Sequence, residues 1–334
     1  MQVGIVVADD PWRYFTEIYQ ELDANHEVSV FQKRNLSSPF FRMRINRFLF
    51  HHDLETFLSK QQVVFFEWAS ELLAMASHLP KQARIVTRLH RYEMFEWARK
   101  VNWANVDRII LVSRAMQKKF AERFPEHADR AVVVYEGVST EKFQPVSKAF
   151  NEDIGTLCFL SPRKRVYELV LAFAEIVQER PGLRLHIGGS SNKFGDYVDA
   201  VYSLVKKLGL QDKVIFYGNV TEPWNWYRNI DVFISNSFSE GLQVAPMEAM
   251  ASERFCISHH WDGAEDLLPA ENLFLTNTEL KRKILRYCDL PADEKRQQQE
   301  RMRAIACEKF DIRQISAQIR AVIEEVTEKD LVKG

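Results

Sequence analysis

The most constraining feature of the sequence is the alternation of short apolar runs with longer amphipathic segments. Runs such as Val63–Phe66, Arg84–Leu89 and Val232–Ser235 are rich in β-branched and aromatic residues and are too short for helices. The segments between such runs carry apolar residues at helical spacing, for example Leu169 and Phe173. This pattern is typical of βαβ units, so the sequence predicts an α/β protein with parallel sheets.

The number of apolar runs indicates two similar α/β domains, for which 334 residues are sufficient. The strands predicted in the first half are 3–7, 27–31, 63–66, 84–89, 108–112 and 131–135. Those in the second half are 156–160, 183–187, 214–216, 232–235, 255–258 and 273–275. Apolar periodicity lapses over 144–153, so we place the domains at 1–148 and 149–311. A last helix at about 312–330 is expected to pack back on the first domain.

Composition narrows the class of protein. Lys and Arg number 45 against 46 Asp and Glu, so no overall charge favours nucleic acid as a partner. Hydrophobic residues make up 46% of the chain, which excludes a disordered protein. The four cysteines are far apart, and we expect them to be reduced, without zinc or disulfides. With no basic leader and no apolar run of about 18 residues, we expect a cytoplasmic protein.

The most informative segment is 235–251. A strand ends near Ser235, a polar loop follows, and a helix is predicted to begin between Gly241 and Val244. Pro246 then falls in the first turn, where proline is tolerated. The segment therefore predicts a loop and a helix start at the carboxyl end of a strand.

This helix start has the features of an anion site, because free backbone N–H groups gather there. The N–H groups in question belong to Gly241, Leu242 and Gln243. Glu240 lies just before them and Glu248 about two turns further on. Such carboxylates can accept hydrogen bonds from sugar hydroxyls, one beside a bound phosphate and one a nucleoside's length away. Two glutamates at this spacing also fit a solvated helix surface, but the strand and small residues around them favour binding.

With these residues the sequence resembles the retaining GT-B glycosyltransferases of family 4. That family carries E-G-[FL]-G-x-x-x-x-E-A-M-A after a strand, and residues 240–251 of this chain read EGLQVAPMEAMA. Further segments are similar to other landmarks of the family: 86–90, 107–113, 134–145, 217–220 and 261–266. The resemblance covers most of the chain. It implies a GT-B fold, with two Rossmann-like domains whose parallel sheets face a central cleft.

The resemblance also implies an activity. A sugar would be transferred from a nucleotide diphosphate-sugar to a hydroxyl acceptor such as a glycan, glycolipid or polysaccharide precursor. The transfer would retain the anomeric configuration and would need no metal ion or other cofactor. The implied catalytic residues are Glu240, His90 and Lys164. The expected donor-binding residues are Arg163, Lys164, Gly218, Val220, Glu240, Gly241, Leu242, Gln243 and Glu248. Two alternatives stay open: a non-catalytic sugar-nucleotide or glycan-binding relative, and a GT-B epimerase or phosphorylase.

Basic residues after the seventh predicted strand would meet the two phosphates of the donor. Lys164 matches the family's lysine, whereas the family's arginine five or six residues earlier is absent, since Cys158 and Phe159 stand there. We infer that Arg163 or Arg165 supplies the missing charge. No D-x-D pair or other clear metal cluster appears, so we expect cations and N–H groups to stabilise the leaving diphosphate.

The first domain carries candidates for the acceptor side. His90 ends a predicted strand, where α/β sheets place ligands, and the resemblance implies that it faces the donor sugar. Five other residues suit either contact with a glycan or lipid-linked acceptor or mere packing: Asp9, Asp10, Trp12, Glu67 and Trp68. A basic and aromatic stretch at 33–52 suits either peripheral contact with an anionic membrane or a helix that faces the core.

Glycine is scarce, at 12 of 334 residues against a usual share of about 7%. The shortage falls around the predicted cleft. The loop 9–12 stands where the family has a Gly-Gly pair, and Arg165, Gln243 and Glu253 stand where it commonly has glycine. We therefore expect the pocket of this protein to depart from that of its relatives at these positions.

Overall fold

The computed structural model describes residues 1–7, 12–32 and 42–328. These residues form two compact units, which lie within the ranges Met1–Tyr135 with Ile312–Gly334, and Glu136–Asp311. The division lies before the boundary predicted after residue 148. Residues just after Tyr135 belong to the second unit because they bond to its end: the N–H of Val138 donates to the Phe310 carbonyl at 2.8 Å, and the Thr140 hydroxyl donates to Asp311 at 2.5 Å.

The first unit is built on a six-stranded parallel sheet in the order β2-β1-β3-β4-β5-β6. Its strands are β1 (Gln2–Val6), β2 (Glu27–Val30), β3 (Val63–Phe66), β4 (Arg84–Leu89), β5 (Arg108–Leu111) and β6 (Ala131–Val133). The helices between and after them are α1 (Trp12–Asn25), α2 (Arg42–Leu58), α3 (Glu71–Ala76), α4 (Arg91–Glu96) and α5 (Arg114–Arg123). Each strand alternates with helical segments, as the apolar pattern predicts.

The second unit has another six-stranded parallel sheet, in the order β12-β11-β10-β7-β8-β9. Its strands are β7 (Asp153–Leu157), β8 (Arg184–Gly188), β9 (Val214–Gly218), β10 (Val232–Ser235), β11 (Phe255–His259) and β12 (Leu273–Phe274). Its helices are α6 (Val166–Glu179), α7 (Gly195–Lys207), α8 (Pro223–Trp226), α9 (Val244–Ala251), α10 (Asn277–Asp289) and α11 (Ala292–Lys309). Two six-stranded parallel sheets flanked by helices confirm the predicted α/β class.

The last helix, α12 (Ile312–Glu328), packs within the first unit. Its apolar stripe lies against β1, β3 and α1, and burial of each aliphatic side chain there is worth about 1.5–3 kcal/mol. An ion pair of 2.8 Å between Arg320 and Glu21 adds a polar contact between α12 and α1. The buried residues of the stripe are Ile312, Ile315, Ile319, Ile323 and Val326.

The seventh strand begins at Asp153, three residues before its predicted start at 156. Asp153 is buried, and its carboxylate is held by Arg184 at 2.9 Å, His186 at 2.8 Å and Lys148 at 3.3 Å. An acidic residue at the start of a buried strand breaks the apolar pattern from which strands are predicted. The prediction was therefore wrong about the start of β7, because ion pairs take the place of apolar burial there.

Candidate functional site

The loops that follow β7 and β10 bring together the basic and acidic residues predicted for the donor site. β7 and β10 are neighbouring parallel strands, so their carboxyl ends, and the loops after them, lie side by side. Arg163 and Lys164 lie in a 3-10 turn after β7, and Glu240 lies in the loop after β10. The topology of the sheet thus explains how residues 76 or more positions apart can meet.

Glu240, Arg163 and Lys164 form one ion-paired group, which we call the Glu240 cluster. The Lys164 ammonium donates to Oε1 of Glu240 at 2.6 Å, and the Arg163 guanidinium donates to Oε2 of the same carboxylate. Arg163 also donates to the carbonyl of Ser239 at 2.9 Å. Only 8% of Glu240 is exposed. The cluster therefore holds two cations around one buried anion.

The charge state of Glu240 follows from these contacts. Burial acts to raise the pKa of the carboxyl, but the charges of Lys164 and Arg163, with hydrogen bonds from Lys164 and Ser237, outweigh it and hold the pKa below its usual value. Glu240 is therefore ionised at neutral pH.

Two hydrogen bonds to main-chain carbonyls fasten the two loops of the cluster to each other. The N–H of Phe238 donates to the Arg163 carbonyl at 3.2 Å, and the side-chain amide of Asn236 donates to the Arg165 carbonyl at 2.9 Å. Arg165 has a left-handed backbone, with φ 51° and ψ 39°, directly before α6. Burial, followed by the charge of Arg165, lowers the pKa of His259. Of the two arginines considered for the missing charge, Arg163 is the one that joins the cluster.

The helix after Glu240 begins at Val244, the last position of the predicted range, with the buried Pro246 in its first turn. Gly241, Leu242 and Gln243 therefore lie before the first turn of α9, in extended or bent backbone. In the part of the chain that the structure describes, none of their N–H groups donates a hydrogen bond. These three donors remain available for an anion.

Glu248, the second predicted carboxylate, is half-buried on α9 and has a fixed position. The hydroxyl of Tyr227 lies 2.9 Å from its Oε2 and 2.9 Å from the carbonyl of Ala245. Tyr227 is fully buried. The sequence analysis missed Tyr227, because a tyrosine after a short aromatic segment belongs to no motif. The high share of aromatic residues in 224–227 was the one feature of the sequence that could have drawn attention to it.

The turn after β9 carries the two remaining donor-side residues. Gly218 ends β9 with φ 61°, a backbone conformation that favours glycine, and its carbonyl accepts from the N–H of Gly189 at 2.7 Å. Val220 follows in the same turn and is half-buried. Both residues thus lie at the carboxyl edge of the second sheet, the edge that also carries the Glu240 cluster.

In the first unit, three of the predicted residues meet at the carboxyl ends of β3 and β4. The rings of Trp68 and His90 are stacked, with centroids 4.0 Å apart and planes at 25°. Oε1 of Glu67 lies 3.6 Å from Nε2 of His90 and accepts from Arg88 at 3.0 Å. Glu67 and Arg88 are both buried. Arg88, which the sequence analysis did not single out, thus anchors the carboxylate beside His90.

Several predicted positions receive no structural description. Asp9, Asp10 and residues 33–41 of the basic stretch lie outside the described residues, and Trp12 begins α1 without a described side chain. Residues 42–52 belong to α2. Within the described ranges, no helix has the length and apolar character to cross a membrane, and no three His, Cys, Asp or Glu side chains are placed to hold a metal ion. All four cysteines are free thiols.

Comparison with known proteins adds a family and a fold. The model of the family described as glycosyl transferases group 1 matches residues 140–306, half of the chain. The chain is 31% identical over 153 residues to EpsD of Bacillus subtilis, covering 42% of this chain and 39% of EpsD. It is 30% identical over 106 residues to the alpha-monoglucosyldiacylglycerol synthase of Streptococcus pneumoniae, covering 31% of this chain and 23% of the synthase. The chain therefore matches less than half the length of these two relatives.

Two solved structures share the fold over nearly the whole chain. Anabaena Alr3699/HepE in complex with UDP superposes with a TM-score of 0.79 at 19% identity, covering 97% of this chain and 100% of that one. Sucrose-phosphate synthase from Thermosynechococcus elongatus superposes with a TM-score of 0.78 at 16% identity, covering 98% of this chain and 100% of the synthase. This likeness, together with the two parallel sheets, confirms the predicted GT-B fold.

Proposed function

The chain belongs to the glycosyl transferases group 1 family, and from this premise we propose that it transfers a sugar from a nucleotide diphosphate-sugar to a hydroxyl acceptor. The observation that carries the proposal is the Glu240 cluster, in which two cations and a buried carboxylate meet beside three free N–H groups. Two phosphates bound in one place require positive charge and N–H donors, which take over the contacts that water makes to them in solution.

We assign the parts of the donor to the parts of the second unit. Arg163, Lys164 and the N–H groups of 241–243 would hold the diphosphate. Glu248 would accept hydrogen bonds from the ribose hydroxyls, with its Oε2 held in place by Tyr227. The turn at Gly218 and Val220 would lie along the base. Uridine is the first base to test, because the structures of Anabaena HepE contain UDP, UDP-glucose, or UDP with glucose.

The proposed reaction needs no group beyond the donor and the acceptor. The acceptor oxygen forms a bond to the anomeric carbon of the donor sugar while the bond from that carbon to the phosphate oxygen breaks. The acceptor proton passes to the leaving phosphate, so the acceptor attacks from the leaving group's side and the configuration is retained. Arg163 and Lys164 would stabilise the negative charge that develops on that phosphate, without a metal ion.

Glu240 and the first unit have separate roles in this proposal. Once the phosphates take its two cations, the Glu240 carboxylate is available to hydroxyls of the donor sugar. We propose that His90 contacts the same sugar, and that Glu67 and Trp68 contact the acceptor, a glycan or a lipid-linked molecule. The fixed geometry of His90, stacked on Trp68 and next to the anchored Glu67, supports this assignment.

The direct test is a panel of nucleoside diphosphates and their sugars, read first as thermal stabilisation and then as donor hydrolysis or transfer. A ligand at a hundred times its dissociation constant stabilises the native state by about 2.7 kcal/mol, which a melting curve detects. Glu240→Gln should abolish turnover, while Glu222→Gln, a change at an exposed residue, should not. Absence of any thermal shift across the panel would contradict the proposal.

A second candidate function is a non-catalytic protein that binds sugar nucleotides. Phe159, half-exposed where the resembled family has an arginine, favours it, because one phosphate-binding charge is missing at that position. Thermal stabilisation by a nucleoside diphosphate without hydrolysis or transfer of any donor would decide for this candidate.

A further inference from the structure

A cavity lies in the second unit at the sheet edge opposite the Glu240 cluster. It is lined by Phe255, the first residue of β11, and by Glu271, just before β12. Parallel strands share their amino ends at one edge, so this cavity is on the amino side of the sheet, whereas the cluster is on the carboxyl side. The proposed transfer reaction uses no residue of this cavity.

The walls of the cavity are positively charged. Lys283 and Arg286 reach it from α10 and Arg301 from α11, whereas Glu271 is the acidic residue that lines it. Glu271 and Arg301 form an ion pair of 2.7 Å in which both side chains are more than half exposed. An exposed pair of this kind contributes about 0–1 kcal/mol, so Arg301 can turn to another anion at little cost.

Within the described ranges, no ion pair joins either of the other two cations to a carboxylate. The Lys283 ammonium donates to the main-chain carbonyl of Glu271 at 2.5 Å. Among the residues that the structure describes, none forms an ion pair with Arg286. Burial, followed by the charge of Arg282, lowers the pKa of Lys283, and Arg286 adds to the effect. Positive charge is therefore in excess around the cavity.

Two stacked aromatic rings line the cavity, and its size is limited. The rings of Phe255 and Tyr287 are stacked, with centroids 4.1 Å apart and planes at 3°, and both residues are buried. The cavity has a volume of about 170 Å³. Sites for drug-sized ligands measure about 300–1,000 Å³, and a water molecule fills about 30 Å³. The space therefore admits a small anion of several heavy atoms and is too small for a sugar nucleotide.

We propose that this cavity, named here the α10–α11 cavity, is a second binding site for a small ligand that bears a phosphate or diphosphate group. Lys283 and Arg286 would bind the phosphate oxygens from α10, and Arg301 would join them from α11, releasing Glu271. Arginine suits this task because its planar guanidinium offers paired donors to phosphate oxygens. Gln298 on α11 adds an uncharged hydrogen-bonding group to the same wall.

The test uses inorganic pyrophosphate as the probe and isothermal titration calorimetry on the full chain. All proteins in this test carry Arg163→Gln and Lys164→Gln, so that binding at the Glu240 cluster does not contribute. The protein with these two substitutions alone is the background protein. Adding Lys283→Gln and Arg286→Gln should weaken the remaining pyrophosphate binding at least about tenfold, since two charge-assisted contacts are lost. Lys206→Gln with Lys207→Gln, the same loss of two charges at exposed residues of α7 that do not line the cavity, should leave it unchanged.

A second measurement does not depend on variants. Acetylation of lysines in the unmodified protein, followed by peptide mass spectrometry, should show that pyrophosphate protects Lys283 and leaves the exposed Lys207 on α7 as reactive as before. Equal protection of both lysines, no measurable binding in the background protein, or the same loss with Lys206→Gln and Lys207→Gln would each overturn the proposal.

Discussion

The ammonium of Lys164 lies 2.6 Å from Oε1 of Glu240, so a cation proposed to hold the donor already holds a carboxylate of the protein. Glu240 is buried and ionised, and Arg163 binds its other oxygen. In this state the Glu240 carboxylate occupies the position at the cations that a phosphate of the donor would take. In the proposed function, binding of the donor would therefore include an exchange of partners at both cations.

Lys164→Gln should weaken UDP binding at least about tenfold, because one charge-assisted contact to the diphosphate is lost. Arg163→Gln should have an effect of similar size. Calorimetric titration with UDP measures both, and Lys206→Gln, at an exposed lysine of α7, is the control. If Lys164→Gln leaves the affinity unchanged while Arg163→Gln abolishes binding, Lys164 does not correspond to the family's lysine.

Glu248→Gln should weaken UDP binding by about tenfold, because hydrogen bonds from ribose hydroxyls to a charged group are worth about 1.5–3 kcal/mol. Pyrophosphate has no ribose, so its affinity should stay the same in this variant. Tyr227→Phe removes only the hydroxyl that holds Oε2 and should weaken UDP binding less. An equal loss for UDP and pyrophosphate would show that Glu248 does not contact the ribose.

His90→Asn should lower donor hydrolysis at least about tenfold while UDP affinity changes less than about twofold. The reason is that His90 belongs to the first unit and is proposed to contact the sugar rather than the nucleotide. His78→Asn, at an exposed histidine of the same unit, is the matched control. A large loss of UDP affinity in His90→Asn would contradict this assignment.

Asp153→Asn should destabilise the protein by about 1–3 kcal/mol at pH 7, because it removes the buried charge that Arg184 and His186 contact, whereas Lys148 keeps its ion pair with Asp231 at 3.1 Å. Although burial acts to raise the pKa of Asp153, hydrogen bonds from His186 and Arg184 hold it below its usual value. The stability that the ionised carboxylate contributes is thus complete above about pH 4 and is lost as the pH falls through the lowered pKa.

Melting temperatures of the wild type and Asp153→Asn, measured from pH 7 downward, test this dependence. The difference between the two proteins should shrink below about pH 4. Asp212→Asn, at an exposed aspartate, should match the wild type throughout. A difference that stays constant down to the lowest pH would show that the charge of Asp153 is not what stabilises β7.

Glu253→Gly should raise the free energy of unfolding by about 0.5–1 kcal/mol. Glu253 has φ 57° where α9 ends, a conformation that costs about 1–2 kcal/mol for most residues, partly offset by the greater freedom of glycine in the unfolded chain. The N–H groups of Glu253 and Arg254 bond back to Met250 and Ala249 at 2.9 Å, as in a Schellman motif. Urea unfolding measures the change. Glu253→Ala keeps the strained backbone, and equal stability of the two variants would contradict the prediction.

The strands were predictable because each buries a short apolar run, and β3, β4 and β10 have their predicted bounds. The order of the strands in the sheet, in contrast, follows from no motif. This order decides which loops meet: β7 and β10 are neighbours, and they bring Lys164 to Glu240. Their direct ion pair could not be predicted, because it depends on side-chain conformations. Scarce glycine was informative: Arg165 and Glu253 both have positive φ, whereas Gln243, with φ −103°, has no need of glycine.

Residues without a motif were the ones that sequence analysis missed. Arg88 and Tyr227 act on Glu67 and Glu248 across distances of 21 positions in the chain, and neither position carries a local signal of that contact. The α10–α11 cavity was missed for a similar reason, since its cations come from two helices whose charged residues look like an ordinary solvated surface. Contacts between side chains of different elements require the packed structure.

The two hydrogen bonds that fasten the loop after β10 to the turn at Arg163 and Arg165 have a consequence for the salt dependence of binding. Neither loop has to be ordered by an incoming diphosphate, and the cations it meets are already neutralised in part by Glu240. If the diphosphate replaces Glu240 at these cations as proposed, few mobile ions would be displaced into the solvent. The affinity for the donor should therefore vary less with ionic strength than at a site whose cations have no carboxylate of the protein beside them.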